Sequence, residues 1–179
     1  MTDILIRARA FALGAHAGQT RKGAASEPYF IHLEEVAALV AAYGGDVLAQ
    51  AAAWLHDTVE DCPVSPALIA AEFGEGVAAV VAELTDDKSL PKPERKRMQL
   101  VNAAHKSPAG ALVKSCDKTS NIRALRLSPP ADWDVARKRA YCDWGQGVVD
   151  ALPDHGGPLN AARAGFADEL AQTRAGLGL

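Results

Sequence analysis

The chain has 179 residues, of which 49% are apolar and only 6% aromatic. That is enough for one domain with a packed core and too little for two generous ones, and its alanine-rich segments favour close-packed helices over a β-rich architecture. A formal net charge of −3 argues against a general affinity for nucleic acid or a membrane surface, so any anionic ligand must be held by a local basic cluster. Cys62, Cys116 and Cys142 are widely spaced and odd in number, giving neither a disulfide framework nor CxxC metal spacing; they fit a reducing cytoplasm. The opening MTDILIRARAFALG carries Asp3 and two arginines, and no run of about 20 apolar residues occurs, so neither export nor membrane insertion is expected.

In chain order, Ile4, Leu5, Ala8, Phe11 and Ala12 repeat at helical spacing and predict a first helix from Thr2 to near Gly18. Residues 19 to 31 lack periodicity and contain Gly23 and Pro28, so they read as an ordered loop entering a second helix at about His32, which ends at Gly44. Asp46 should cap a third helix running to Pro63, and Ser65-Pro66 should open a fourth. A short helix follows Gly76. TDDKSLPKPERKRMQ then reads as a loop running into a basic helix start. Beyond Pro108 lies a long helix with an apolar stripe of Leu112, Val113, Cys116, Ile122 and Leu125. Pro129-Pro130 separates it from an amphipathic helix over DWDVARKRAYCDWGQGVVDAL, and a last helix runs from about Leu159 to Ala175.

The informative cluster is AAAWLHDTVED. His56 and Asp57 are adjacent metal-type ligands, and Glu60 and Asp61 stand four residues after each, which places all four on one side of a single helical stretch. A satisfied histidine beside a solvated acidic face is the bland alternative. Against it stands the apolar run Ala51 to Leu55, which implies a packed backbone where charges need partners or a metal. Further ligands must come from other helices. His32, at a helix start, and Asp117, inside an otherwise small and apolar helix, are the best candidates. Two imidazoles and two carboxylates suit Mn²⁺, Fe²⁺ or Zn²⁺ better than Mg²⁺ or Ca²⁺, and leave positions open for water and substrate.

In TRKGAASEPYFIHLEEVA, AAAWLHDTVED, FGEGVAAVVAELTDD and LVKSCDKTSNIRAL, in this order, the chain resembles the metal-dependent HD-domain phosphohydrolases and, within them, the RelA/SpoT-type alarmone hydrolases. TDDKSLPKPERKRMQ and HKSPAGALVK look like the small stand-alone subgroup that includes the metazoan SpoT homologue. The resemblance implies an all-α, single-domain HD-type helical bundle of about eight to ten helices over residues 1–179. It implies a cytoplasmic enzyme that removes pyrophosphate from the 3′ position of (p)ppGpp with one Mn²⁺. His32, His56, Asp57 and Asp117 match the metal ligands, and Glu60 and Asp61 the acidic pair that handles the nucleophilic water. Arg21 and Lys22 match the basic pair against the guanine, Asn121 and Tyr141 the nucleotide pocket, and Lys88 and Arg137 align with further pocket positions. The expected partner is that small nucleotide, with no nucleic acid and no membrane, and with self-association into a homo-oligomer left open.

Where relatives commonly read KLADKLYN or KLADRLHN, this chain has KSCDKTSN. Ser115, Cys116, Thr119 and Ser120 replace larger or apolar groups, and the changes at Thr119 and Ser120 leave the shape of the nearby nucleotide pocket, and with it the substrate, open. The rival activities are a phosphatase for another nucleotide, such as removal of the 2′-phosphate of NADPH, and a nucleotide-sensing module without turnover. A pure binder has no need of the Glu60-Asp61 pair. The run Lys88, Lys92, Arg95, Lys96 and Arg97 reads mostly as a solvated helix face. Arg21 and Lys22, in a loop beside His32, read as functional. Tyr141 is open between core and pocket, Cys116 reads as a small packed residue, and His16, His105 and His155 as structural or exposed.

Overall fold

The computed structural model describes residues 2–179. Ten helices follow one another: α1 (Asp3–Ala15), α2 (Phe30–Ala42), α3 (Val47–Leu55), α4 (Thr58–Asp61), α5 (Pro66–Phe73), α6 (Glu75–Leu84), α7 (Lys92–Ala103), α8 (Pro108–Leu127), α9 (Val135–Asp150) and α10 (Gly157–Leu177). Among the described residues there is no strand, and one isolated bridge joins Thr20 to Pro28. Among the described residues no helix is long and apolar enough to cross a membrane.

Asp46 and Ser65 cap their helices as expected, and Ser107 and Asp134 add two caps that were not among the expectations. Asp46 accepts from the Ala49 N–H at 2.8 Å, and Ser65 from Leu68 at 3.2 Å with Pro66 at the first helical position. Ser107 and Asp134 cap α8 and α9 in the same way. Boundaries shift by a few residues. Helix α1 stops at Ala15 rather than near Gly18, α2 begins at Phe30 rather than His32, and α6 begins before Gly76 rather than after it.

Helix α8 is the axis of the fold. It packs against α2, α3, α6, α9 and α10, and residues Gly110 to Ser120 are buried all the way round. The small side chains of Gly110, Ala111, Ser115, Cys116 and Ser120 let five neighbours approach one helix. Cys116 is a packed core residue, as its sequence context suggests. One apolar cluster, built on Leu33, Val36, Leu55, Ile69 and Val81, lies on the N-terminal side of α8. A second, built on Ile122, Val148, Leu159, Phe166 and Leu170, lies on the other. Polar side chains along α8 are thereby held between two apolar masses.

Candidate functional site

The third helix does not run through the HDxxED cluster. It ends at Leu55, His56 keeps helical torsions, and Asp57 sits at φ −101°, ψ −2°, between the helical and extended regions. The Thr58 hydroxyl donates to the Leu55 carbonyl at 2.6 Å, and a single turn, α4, follows. This break corrects the single-helix expectation. Successive residues of an unbroken helix diverge by about 100°, whereas the kink lets His56 and Asp57 converge. It also separates the acids. Glu60 accepts from the Asp86 N–H at 3.0 Å, and Asp61 pairs with the Lys88 ammonium.

Helices α2 and α8 bring the other two groups. His32 Nε2 lies 3.6 Å from Asp57 Oδ2 and 3.4 Å from Asp117 Oδ1; His56 Nε2 lies 3.1 Å and 4.0 Å from the same two oxygens. His32, His56 and Asp57 each offer a ligand atom within 4.8 Å of the others. The donor set itself fits a divalent cation. His56 Nδ1 is 2.8 Å from the Ala53 carbonyl, which can only accept, so that nitrogen keeps a proton and Nε2 is the atom left to face an ion. Nε2 is buried and makes no hydrogen bond. A buried imidazole nitrogen with no partner, facing two carboxylates, is what a ligand atom looks like without its ion.

The electrostatics show a site that draws positive charge, a proton on His56 Nε2 or a cation in its place. Burial would depress the His56 imidazole, but the Asp57 carboxylate 3.1 Å away, with Asp117 behind, pushes it up to about 9. Burial would raise Asp57, yet His56 and His32 hold it well below the usual carboxylate range. Asp117 is likewise held low against burial, chiefly by Lys118 and Lys114, whose ammonium groups lie 3.2 and 3.6 Å from its Oδ2. One oxygen of Asp117 thus faces the imidazoles and the other two buried lysines.

Side chains around these four fix their directions. The Tyr29 hydroxyl donates to Asp57 Oδ2 at 2.5 Å, and burial together with Asp57 raises that phenol far above its ordinary value. Asn121 donates to Asp117 Oδ1 at 2.6 Å while accepting from Arg21 at 3.1 Å. Arg21 and Lys22 are seated by Gly23, where any side chain would collide with the Ser128 carbonyl at the end of α8.

Tyr29 and Asn121 also line a cleft of about 920 Å³, so the buried cluster lies directly behind its wall. Every remaining candidate from the sequence lines this cleft: Arg21, Lys22, Glu60, Asp61, Lys88, Arg137 and Tyr141. Arg137 lies 4.6 Å over the Trp133 ring, and Tyr141 packs between Trp133 and Trp144. Burial raises the Glu60 carboxyl above its usual value; the Asp86 N–H opposes this, while Asp57, Asp86 and Asp61 add to it.

Three cations that read as a solvated face belong to the cleft. Lys92, Arg95 and Lys96 line it, while Arg97 turns outward to Glu94 at 2.6 Å. Their i, i+3, i+4 spacing was the available signal. Tyr29, Trp133 and Ser120 were also missed. Ser115, Cys116, Thr119 and Ser120 are buried and none lines the cleft; Ser120 touches its wall only through the bond it accepts from Arg21 at 3.3 Å. His16 is buried and stacked on Tyr29 at 5.1 Å, whereas His105 and His155 are exposed.

The profile of the family described as "HD domain" matches residues 8–141. The guanosine-3′,5′-bis(diphosphate) 3′-pyrophosphohydrolase MESH1 of Homo sapiens is 41% identical over 150 residues, 83% of this chain and 84% of its own length. Its Drosophila melanogaster counterpart is 40% identical over 144 residues, 79% of this chain and 80% of the relative. A solved structure described as a metazoan orthologue of SpoT that hydrolyses ppGpp superimposes with a TM-score of 0.85 at 33% identity, covering 98% of this chain and 96% of that one.

Proposed function

This chain belongs to the HD-domain family, and on that footing we propose that it hydrolyses (p)ppGpp at the 3′-pyrophosphate in the cytoplasm, giving GDP or GTP and pyrophosphate, with residues 1–179 acting as one domain around one Mn²⁺. The observation that carries this reading is charge placement. Seven cationic side chains and only two acids line one cleft of a chain whose net charge is −3, and the wall of that cleft covers a buried pair of imidazoles and carboxylates. A polyanionic nucleotide matches the first feature, and metal-assisted hydrolysis matches the second.

His32, His56, Asp57 and Asp117 would hold the metal, which when bound would acidify a water and neutralise phosphate oxygens. Glu60 is the proton acceptor: its raised carboxyl sits near the cluster and faces the cleft, whereas Asp61 is engaged by Lys88. The water oxygen bonds to the phosphorus on the 3′ oxygen, the bond to that oxygen breaks, and the 3′ oxygen takes up a proton as pyrophosphate departs. Arg21 and Lys22 hold the base end, with Asn121 tying Arg21 to Asp117. Tyr141 and Arg137 form the aromatic side of the pocket. Lys88, Lys92, Arg95 and Lys96 face the phosphates.

The test is pyrophosphate release from ppGpp with added Mn²⁺, run beside a chelator control, NADPH and Glu60→Gln. Glutamine still accepts from the Asp86 N–H, so the variant should fold and bind Mn²⁺ while turnover falls by about 10²- to 10⁴-fold. Wild-type and variant rates that are equal would sink the enzyme reading, and phosphate released from NADPH alone would move the substrate.

A further inference from the structure

We infer that Ser120 is a positioning residue that presents His32 to the metal, an inference that rests on His32 being a ligand as proposed above. Three groups meet its hydroxyl oxygen: His32 Nδ1 at 2.8 Å, Glu35 Oε2 at 2.5 Å and Arg21 Nη1 at 3.3 Å. A serine hydroxyl has one proton to give. The Glu35 carboxylate, engaged at its other oxygen by Arg123 at 2.5 Å, can only accept that proton. The Arg21 guanidinium can only donate. The serine oxygen is therefore an acceptor toward His32, so Nδ1 carries the ring proton and Nε2 is left with its lone pair facing Asp57 and Asp117.

The two imidazoles are thus held by different means. The tautomer of His56 is set by a backbone carbonyl, which comes with the fold. That of His32 is set by a side chain, which a single substitution can delete. The hydroxyl also passes the histidine proton's bond to a charge. Glu35 and Arg123 continue the chain to Glu169 of α10, which is buried and is itself held by Arg126 at 2.7 Å. A carboxylate behind a metal-bound histidine raises the basicity of the ligand and locks its orientation, and here the serine is the link between the two. The nearby Thr119 has no such part, because its hydroxyl bonds back to the Ser115 carbonyl on the same helix. Because Arg21 donates to the same oxygen, the group assigned to the base end of the nucleotide and the metal ligand share one atom.

The experiment titrates Mn²⁺ calorimetrically into metal-free wild-type protein, Ser120→Ala, Glu35→Gln and His32→Ala, with no nucleotide present. Ser120→Ala is expected to bind Mn²⁺ about 10- to 100-fold more weakly, with Glu35→Gln weakened in the same direction. Affinity unchanged in Ser120→Ala while His32→Ala loses binding overturns the role of Ser120 and leaves the site standing. Wild-type affinity in His32→Ala overturns the metal reading itself. Should Ser120→Ala fail to fold, Glu35→Gln carries the same two outcomes. A spectroscopic readout separates positioning from general damage. With diamagnetic Zn²⁺ bound, the His32 Nδ1 proton should lose its protection from exchange in Ser120→Ala while the His56 Nδ1 proton keeps it. Equal loss at both rings would overturn the assignment.

Discussion

Lys96 and Arg97 are neighbours on α7, yet only Lys96 lines the cleft, so removing the same unit of charge at each should have different effects. Burial lowers the pKa of the Lys96 ammonium, and the positive charges of Lys92, Lys118 and Arg137 lower it further, which marks a region charged in advance for an anion. A phosphate charge about 6 Å from a cation gains roughly 1.4 kcal/mol at an effective dielectric of about 40, and about twice that at 20. Lys96→Met removes that attraction, and with it the ammonium's place over the Tyr141 and Trp144 rings, while keeping an apolar stem of similar length, so kcat/KM for ppGpp should fall about 10- to 100-fold. Arg97→Gln loses only an exposed pair with Glu94 and should change kcat/KM less than about threefold. Both variants are measured by initial-rate pyrophosphate release at several salt concentrations. The gap between them should narrow as salt approaches 1 M, where the screening length is about 3 Å. Equal losses in the two variants, or a gap insensitive to salt, would refute the assignment of α7 to substrate binding.

Glu60 must be ionised to accept a proton, and its pKa is raised, so kcat/KM should climb as pH rises through a value above the ordinary carboxylate 4.5; an acid limb at or below that value would remove Glu60 as the base. Asp117→Asn leaves Lys114 and Lys118 buried without their shared counter-charge, so thermal or urea unfolding should show a loss of about 3–5 kcal/mol as well as lost Mn²⁺ binding. His32→Ala deletes a ligand without stranding those lysines, and should lose the metal at a smaller cost in stability; equal costs would count against that account.

How much was legible differs between the fold and the site. Helix spacing and the caps Asp46 and Ser65 are local signals, and an all-α chain follows from them. The break at His56-Asp57 was not legible, because nothing in WLHDTVED forbids a continuing helix; the Tyr29 hydroxyl on Asp57 is a tertiary contact that overrides propensity there. Residue chemistry pointed to the candidate ligands, since His and Asp inside apolar stretches need partners wherever they end up, and His32, His56 and Asp57 do come together. Direction was the harder problem. The basic run on α7 divides by helical period between cleft and solvent, and composition alone treats its members alike.

The substitutions in KSCDKTSN show the same limit from the other side. Read along the chain, Thr119 and Ser120 lie between a metal-type aspartate and a pocket asparagine, which leaves open whether they shape the substrate pocket. On α8 those residues turn inward, because the helix is buried over Gly110 to Ser120 and has no free face there for them to line. A small hydroxyl in such a place cannot reach solvent and must find protein partners, and Ser120 finds a histidine, a carboxylate and a guanidinium. A polar residue substituted into a buried helix beside a ligand therefore bears first on the metal and only through Arg21 on the nucleotide. The two effects separate in the Mn²⁺ titration made without nucleotide.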